Sequence, residues 1–276
     1  MKLFFWNTGG CKIDNHLISV VNKKDIDLLV LAEFNENDSD FLEQINKEEE
    51  IFECIPQIGC KRISIFCRTN MVEIEHGPES SYYTIKKFTL KNNFVFLMVA
   101  VHLPSKLNQN FITQTLEATE FKDEIELAEK QLETDNTFVV GDFNMNPFEY
   151  GMVSASAFHS VPCKRVASSN ARKIKNREHK FFYNPMWNLF GDIDNNPGTY
   201  FHRDSQQTVY FWNILDQVIL RPSLIGYFKL EELKILKNID QSSLVSEDDR
   251  PNVSDHLPIV FKFDFEGGFE NEKLVA

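Results

Sequence analysis

Three apolar runs in this chain end in carboxylate or amide side chains. They are Phe4-Phe5-Trp6-Asn7, Leu28-Leu29-Val30-Leu31-Ala32-Glu33 and Phe138-Val139-Val140-Gly141-Asp142-Phe143-Asn144. A fourth, Ser254-Asp255-His256-Leu257-Pro258-Ile259-Val260-Phe261-Lys262-Phe263, opens with an adjacent Asp-His pair. Apolar runs bounded by polar residues read as strands buried on both faces. A rigid strand holds the residue at its mouth in place, so several such mouths along one sheet edge would form a polar pocket. Val101-His102-Leu103 and Leu215-Asp216-Gln217 extend the set to Asn7, Glu33, His102, Asp142, Asn144, Asp216, Asp255 and His256. Taken singly, these residues have plainer readings. Asn7 could cap a turn, Glu33 could be a solvated rim residue, and Asp142 with Asn144 could form an Asx turn.

As a set they match the demands of phosphodiester hydrolysis. A hard cation must neutralise charge on the phosphoryl oxygens, a group must hold and deprotonate water, and another must stabilise the transition state and the leaving oxygen. Mg²⁺ takes oxygen ligands, retains waters and needs one or two carboxylates, which Glu33 with Asn7 would satisfy. Carboxylate-rich, cysteine-poor chemistry disfavours zinc. A carboxylate on one imidazole nitrogen fixes the tautomer and favours the protonated ring. Asp216 is expected to play that part for His256.

The elements that must position these groups alternate early and then become strand-rich. Strands are expected at 2–7, 27–33, 51–55, 62–67, 71–75, 82–90, 94–101 and 137–141, and again at 199–203, 208–211, 216–220, 226–235 and 256–264. Lys91-Asn92-Asn93 reads as a hairpin turn between two of them. Helices are expected at 13–23, at about 39–48 and over 110–133, the last with Ile112, Leu116, Thr119, Phe121, Ile125, Ala128 and Leu132 near one face. The stretch 145–200 reads as irregular, with turn formers at Asn184-Pro185 and Asn196-Pro197-Gly198. Many strands flanked by few helices suggest two packed sheets covered by helices. Neither linker nor repeat interrupts them, so residues 1–265 are expected to form one catalytic domain and 266–276 a flexible tail.

The chain has 276 residues, enough for a sizeable core, and 25 phenylalanines to fill it. Its net charge of −12 argues against a strong non-specific DNA binder but not against an enzyme that meets phosphates through a metal and a local basic patch. Such a patch exists. Lys164, Arg165, Arg172, Lys173, Lys175, Arg177 and Lys180 face only Glu178 within 161–180. It runs into Phe181, Phe182, Tyr183 and Trp187, and basic residues beside aromatics can hold a phosphate chain and stack bases. Arg172, Lys173 and Lys175 are therefore expected to contact substrate, together with Lys106 after Pro104-Ser105 and His202, which precedes the Asp216 strand. The other histidines outside the set (His16, His76, His159 and His179) read as structural or surface residues. Five cysteines without a C-x-x-C pair suggest reduced thiols and a cytoplasmic location. No apolar run approaches a transmembrane length, and no stable membrane association is expected.

Trp6-Asn7, Leu31-Ala32-Glu33, Val101-His102-Leu103, Gly141-Asp142-Phe143-Asn144, Leu215-Asp216 and Ser254-Asp255-His256 occur in an order that resembles the endonuclease/exonuclease/phosphatase (DNase I-like) superfamily over about residues 3–263. The resemblance implies a four-layer α/β/β/α sandwich with Mg²⁺ or Mn²⁺ at the top of two sheets, near Asn7 and Glu33. It implies that Asp142 orients or deprotonates the attacking water, that Asn144 positions water and phosphate, and that His102 contacts phosphate. Asp255 would be a second carboxylate beside the metal, and His256 would pair with Asp216. The His102-Leu103 form resembles nucleases of the deoxyribonuclease I type, tyrosyl-DNA phosphodiesterases, deadenylases and sphingomyelinases more than abasic-site endonucleases. The sequence departs from the pattern at Gln217, where an aromatic or basic residue is common, and after Asn7, where Thr8-Gly9 leaves out a second acidic ligand. The leading expectation is a divalent-metal-dependent phosphodiester hydrolase, a nuclease on DNA or RNA. The alternative is a phosphatase or phosphodiesterase on a small or lipid phosphate ester. A non-catalytic binding protein ranks last, because Glu33, Asp142 and His256 are all present.

Overall fold

The computed structural model describes residues 1–23, 25–47, 52–69, 72–105, 111–191, 197–205 and 207–266. Two large sheets dominate it. The first has six strands in the order Phe228–Ile235, Ile259–Phe263, Lys2–Asn7, Leu28–Ala32, Ile63–Arg68 and Phe52–Ile55. The second has seven, in the order Val72–Glu79, Tyr83–Leu90, Val95–His102, Thr137–Asp142, Asp216–Leu220, Phe182–Tyr183 and Ser160–Val161.

The two-residue rhythm of the strands sorts their side chains into layers. Leu3 and Phe5 join Val30, Met98, Ala100, Phe138, Val140, Val218 and Phe261 in one core between the sheets. Phe4, Trp6, Leu29 and Leu31 point the other way and meet Leu17 and Val20 of helix Asp14–Lys23 and Phe41 of helix Asp38–Ile45. Leu97, Val99, Val139 and Ile219 likewise meet Ala118, Phe121, Ile125 and Ala128 of helix Phe111–Gln131. Two sheets, a shared core and an outer helical layer on each side make the α/β/β/α sandwich. Among the described residues, no helix is long and apolar enough to cross a membrane. All five cysteines are free thiols.

Three sequence expectations need correction. The long helix buries Gln114, Ala118, Phe121, Ile125 and Ala128, whereas Ile112 and Leu116 are 56% and 59% exposed. The stripe is phased by polar residues that find partners: Gln114 Nε2 donates to the carbonyls of Pro104 and Asn144, and Glu129 pairs with Arg221. The strand expected at 208–211 is absent, and Tyr200–Phe201 pairs instead with Trp212–Asn213. The stretch 145–200 is more regular than expected. It contributes the last two strands at one side of the second sheet, Phe182–Tyr183 and the edge strand Ser160–Val161, and a separate hairpin, Ala171–Ile174 with Arg177–Lys180.

Candidate active site

The strands of the second sheet deliver three polar side chains to one point. Asp142 lies opposite His102 on one neighbour and opposite Asp216 on the other. Residues directly opposite share a face. Counting back by twos from these three reaches Ala100, Val140 and Val218, all members of the core between the sheets. In the first sheet the count from Phe5 reaches Asn7. The site is thus the end of the central core, where its apolar stripe turns polar.

Asp142 is the hub. It is 1% exposed. Asn7 Nδ2 donates to its Oδ2 at 3.0 Å, and the backbone N–H of Asn144 donates to its Oδ1 at 2.7 Å, closing an Asx turn. Asn144 adopts φ 50, a conformation asparagine tolerates, and its Nδ2 donates to Leu103 O at 2.8 Å and approaches Asp142 Oδ2 at 3.3 Å. Gly141 has φ 150, and a Cβ there would lie 1.9 Å from the carbonyl oxygen of Val101, so only glycine fits.

Two imidazoles flank the hub. His102 Nε2 lies 3.2 Å from Glu33 Oε1 and 3.8 Å from Asp142 Oδ2, so one nitrogen links both carboxylates. His256 Nδ1 bonds Asp216 Oδ2 at 2.7 Å, and its Nε2 faces Asp142 Oδ2 at 4.0 Å. Glu33 sits one step past the rhythm of its strand, at φ 51, a strained conformation for a residue with a Cβ. The Thr8 hydroxyl and the Gly10 N–H hold it there through its carbonyl, at 2.6 and 3.1 Å.

The electrostatics follow from burial and pairing. Burial opposes a charged His256, but Asp216, Asp142 and Asp255 outweigh it and push the imidazole up to about 10. Burial raises the Asp142 carboxyl and Asp216 raises it further, against the pull of His256 and His102. The bond from His102 holds Glu33 below the ordinary carboxylate range although partial burial opposes it. The site therefore combines a charged imidazole, a carboxylate made more basic and a carboxylate kept ionised.

Two groups of donors could hold a cation. One ligand atom each of Asp142, Asp216 and His256 lies within 4.8 Å of the others. However, the protonated ring of His256 is committed to Asp216, and a second positive charge there would compete with it. The oxygen donors around Glu33 suit a hard ion better. Glu33 is 44% exposed, and among the described residues Asn7 Oδ1 accepts only the Gly9 N–H, at 3.1 Å, which leaves it a lone pair. Asp255 is brought beside them, since a Cβ on Gly9 would meet its Oδ1 at 2.8 Å.

Other expected contacts fall elsewhere. His202 lies on the rim, 49% exposed, with its ring parallel to Tyr200 at 6.3 Å; the Tyr200 ring lies 4.7 Å from that of His256. Lys106 lies outside the described residues. Arg172, Lys173 and Lys175 are not brought to the site. Their hairpin joins the body at Lys180, which bonds Asp135 at 2.7 Å, whereas Asp142 stands at the far end of the strand that Asp135 leads into.

Several supporting residues carry no motif. Thr199 Oγ1 accepts the N–H groups of Leu215 and Asp216, each at 3.1 Å. Ser254 Oγ donates to Asn7 O at 2.8 Å and accepts from the N–H of His256 at 3.2 Å. Gln217 donates to Met145 O at 2.6 Å and latches the loop after Asp142. Only Ser254, inside the Ser-Asp-His run, could have been picked out by pattern.

No protein-family model matches the chain, and no curated protein sequence is significantly similar to it. Solved structures are similar in fold. The catalytic domain of human Nocturnin with bound sulfate superimposes at a TM-score of 0.60 and 12% identity, over 96% of this chain and 93% of that one. TDP2 of D. rerio, complexed with a single-strand DNA product, does so at 0.57 and 15%, over 96% and 98%. An endonuclease/exonuclease/phosphatase family protein from Bacteroides thetaiotaomicron does so at 0.56 and 14%, over 97% and 96%. With its two sheets, its helical outer layers and its polar cluster at one end of the core, the chain has the DNase I-like fold.

Proposed function

We propose that the protein is a phosphodiester hydrolase dependent on Mg²⁺ or Mn²⁺, and that its substrate is DNA or RNA. The observation that carries this reading is the buried Asp142, with its carboxylate 4.0 Å from an imidazole kept charged by Asp216 and 3.8 Å from one bonded to Glu33. Opposed charges concentrated in a protected cleft are suited to moving a proton while holding an anion.

Glu33, Asn7 and Asp255 would hold the cation, whose chemistry is to neutralise charge on a phosphoryl oxygen. Asp142, raised toward the range of a useful base, takes the proton of the attacking water. Asn7 and Asn144 fix the Asp142 carboxylate, and the Asn144 side chain lies beside it to orient that water. His256 donates from Nε2 to a phosphoryl or leaving oxygen, and Asp216 on Nδ1 supports its charge. His102 offers a second donor on the Glu33 side.

Nucleic acid is favoured over small esters by the parallel Tyr200–His202 pair next to His256, a surface on which a base can stack. The single-strand DNA product named for the similar D. rerio TDP2 structure supports the same reading. The test is a substrate panel of single- and double-stranded DNA, RNA, nucleotides and phosphoinositides, each with Mg²⁺, Mn²⁺ or EDTA. Metal-dependent cleavage of polynucleotide is expected. Cleavage that persists in EDTA would overturn the metal role, and turnover confined to the small or lipid esters would overturn the substrate.

A further inference from the structure

The active site leaves the basic segment without a role. Strand register fixes where that segment sits. Tyr183 pairs with Leu220, and Leu220 with Phe138, at the opposite end of the second sheet from Asp142. The hairpin lies beyond that level, where Lys180 Nζ bonds Asp135 at 2.7 Å and Glu129 at 3.2 Å. At about 3.3 Å per strand residue, Asp135 and Asp142 stand about 20 Å apart.

The root of the hairpin is firm. The buried Arg221 donates to Glu129 from Nε at 2.7 Å and to Phe181 O at 3.2 Å, and its guanidinium covers the Phe182 ring at 3.9 Å. The ribbon beyond the root is open to solvent. Residues 172–178 are all exposed. Arg172 opposes His179 and Ile174 opposes Arg177, so one face carries cations and no acid. Among the described residues, none of Arg172, Lys173, Lys175 and Arg177 forms an ion pair, whereas Lys180 and Arg221 at the root are both neutralised. The adjoining short helix Lys164–Ala167 adds Lys164 and Arg165. A chain of net charge −12 thus sets Arg172, Lys173, Lys175 and Arg177, all exposed, within six residues on one two-stranded ribbon.

We infer that the ribbon Ala171–Lys180, with Lys164 and Arg165, is a second nucleic-acid-binding element that grips the phosphate backbone of a polynucleotide away from the bond being cut. Guanidinium groups pair bidentately with phosphates, and a two-stranded ribbon fits the major groove of a duplex. A protein partner fits less well: the element offers Ile174 and Val166, 37% and 46% exposed, as its large apolar contacts, too little for the core of a protein interface. The inference rests on the reading of the active site as a nuclease. It predicts that long chains are held at both poles, and that duplexes shorter than about six base pairs, at about 3.4 Å of rise each, gain nothing from the ribbon.

The test is binding in EDTA, where cleavage plays no part, read by fluorescence anisotropy against salt concentration with a duplex of about 30 base pairs. The R172E/K173E/K175E/R177E variant should bind at least tenfold more weakly, with a log–log salt slope shallower by about 3–4. The charge-matched K91E/K229E/K234E/K262E variant should lose less than about threefold, and glutamine at the four ribbon positions should give an intermediate loss. Equal losses in the two charge-reversal variants, or none in the ribbon variant, would overturn the inference. So would a ribbon variant that loses poly-glutamate binding but keeps the duplex. Hydrolysis of bis(p-nitrophenyl) phosphate by the wild type with Mg²⁺ or Mn²⁺ reports the active site alone. Its absence would sink the nuclease reading whatever the binding data say.

Discussion

The two poles of the second sheet handle charge in opposite ways. At one, Asp142, Asp216 and His256 are buried, and every acid is engaged by a histidine, an amide or a backbone N–H. At the other, Arg221 and Glu129 are just as buried but form a closed ion pair, and the cations of the ribbon, Arg172, Lys173, Lys175 and Arg177, are exposed. Both poles confine charge, but only the first leaves it poised. His256 Nε2 and Asp142 Oδ2 face each other at 4.0 Å without bonding, which leaves room for a reacting group between them. The lesson is that burial and pairing alone do not mark a reactive site; an unfinished contact between buried charges does.

Asp142→Asn should have the largest effect. It should cost about 10²–10⁴ in turnover while the melting temperature holds, because asparagine keeps the shape and loses the base. Turnover within threefold of wild type would remove Asp142 from the chemistry. Glu129→Ala should do the reverse. It strands the Arg221 guanidinium in the interior and should cost about 3–5 kcal/mol in denaturant unfolding, with kcat retained in the folded fraction. A stability loss well under that range would mean the far pole is not held by this pair.

Asp216→Asn should show its effect through pH. In the wild type His256 is raised from 6.5 to about 10. A group raised on folding stabilises fully below its unfolded value and loses that contribution as pH climbs through its folded value. Stability should therefore decline between about pH 6.5 and about pH 10. In Asp216→Asn that decline should flatten, and the alkaline limb of the rate profile should move toward neutrality with a loss of about ten- to hundredfold at high pH. Superimposable profiles would refute the pairing. Lys180→Met should matter least. The lysine is 37% exposed at its side chain, and losing its bonds to Asp135 and Glu129 should cost less than about 1 kcal/mol.

Much of the Asp142 pole was legible in the sequence. Asn7, Asp142 and Asp216 stand at strand ends, and the strands advertise themselves by unbroken apolar runs. Once Leu3-Phe5-Asn7 or Val140-Asp142 is read at a period of two, the change from apolar to polar marks where the core meets solvent. The far pole was not legible, for equally physical reasons. Ala171-Arg172-Lys173-Ile174 has no apolar alternation, so nothing announced a strand, and Lys175 turns the hairpin at φ 55 without a glycine. The basic run therefore looked like a loop near the residues it follows in sequence, and only strand register revealed that it lies at the other end. The long helix misled in a similar way. Its buried stripe passes through Gln114 and Glu129, whose partners come from distant segments, so apolar spacing alone found Phe121, Ile125 and Ala128 but wrongly added Ile112 and Leu116.

The indole N–H of Trp6 donates to the carbonyl of His256 at 2.8 Å, and strand Ile259–Phe263 slots between Lys2–Asn7 and Phe228–Ile235. The first and last strands of the sandwich are therefore neighbours, and the imidazole arrives with the final one. Deleting the final strand would therefore split the first sheet between Lys2–Asn7 and Phe228–Ile235 and take His256 away from Asp216 in the same stroke.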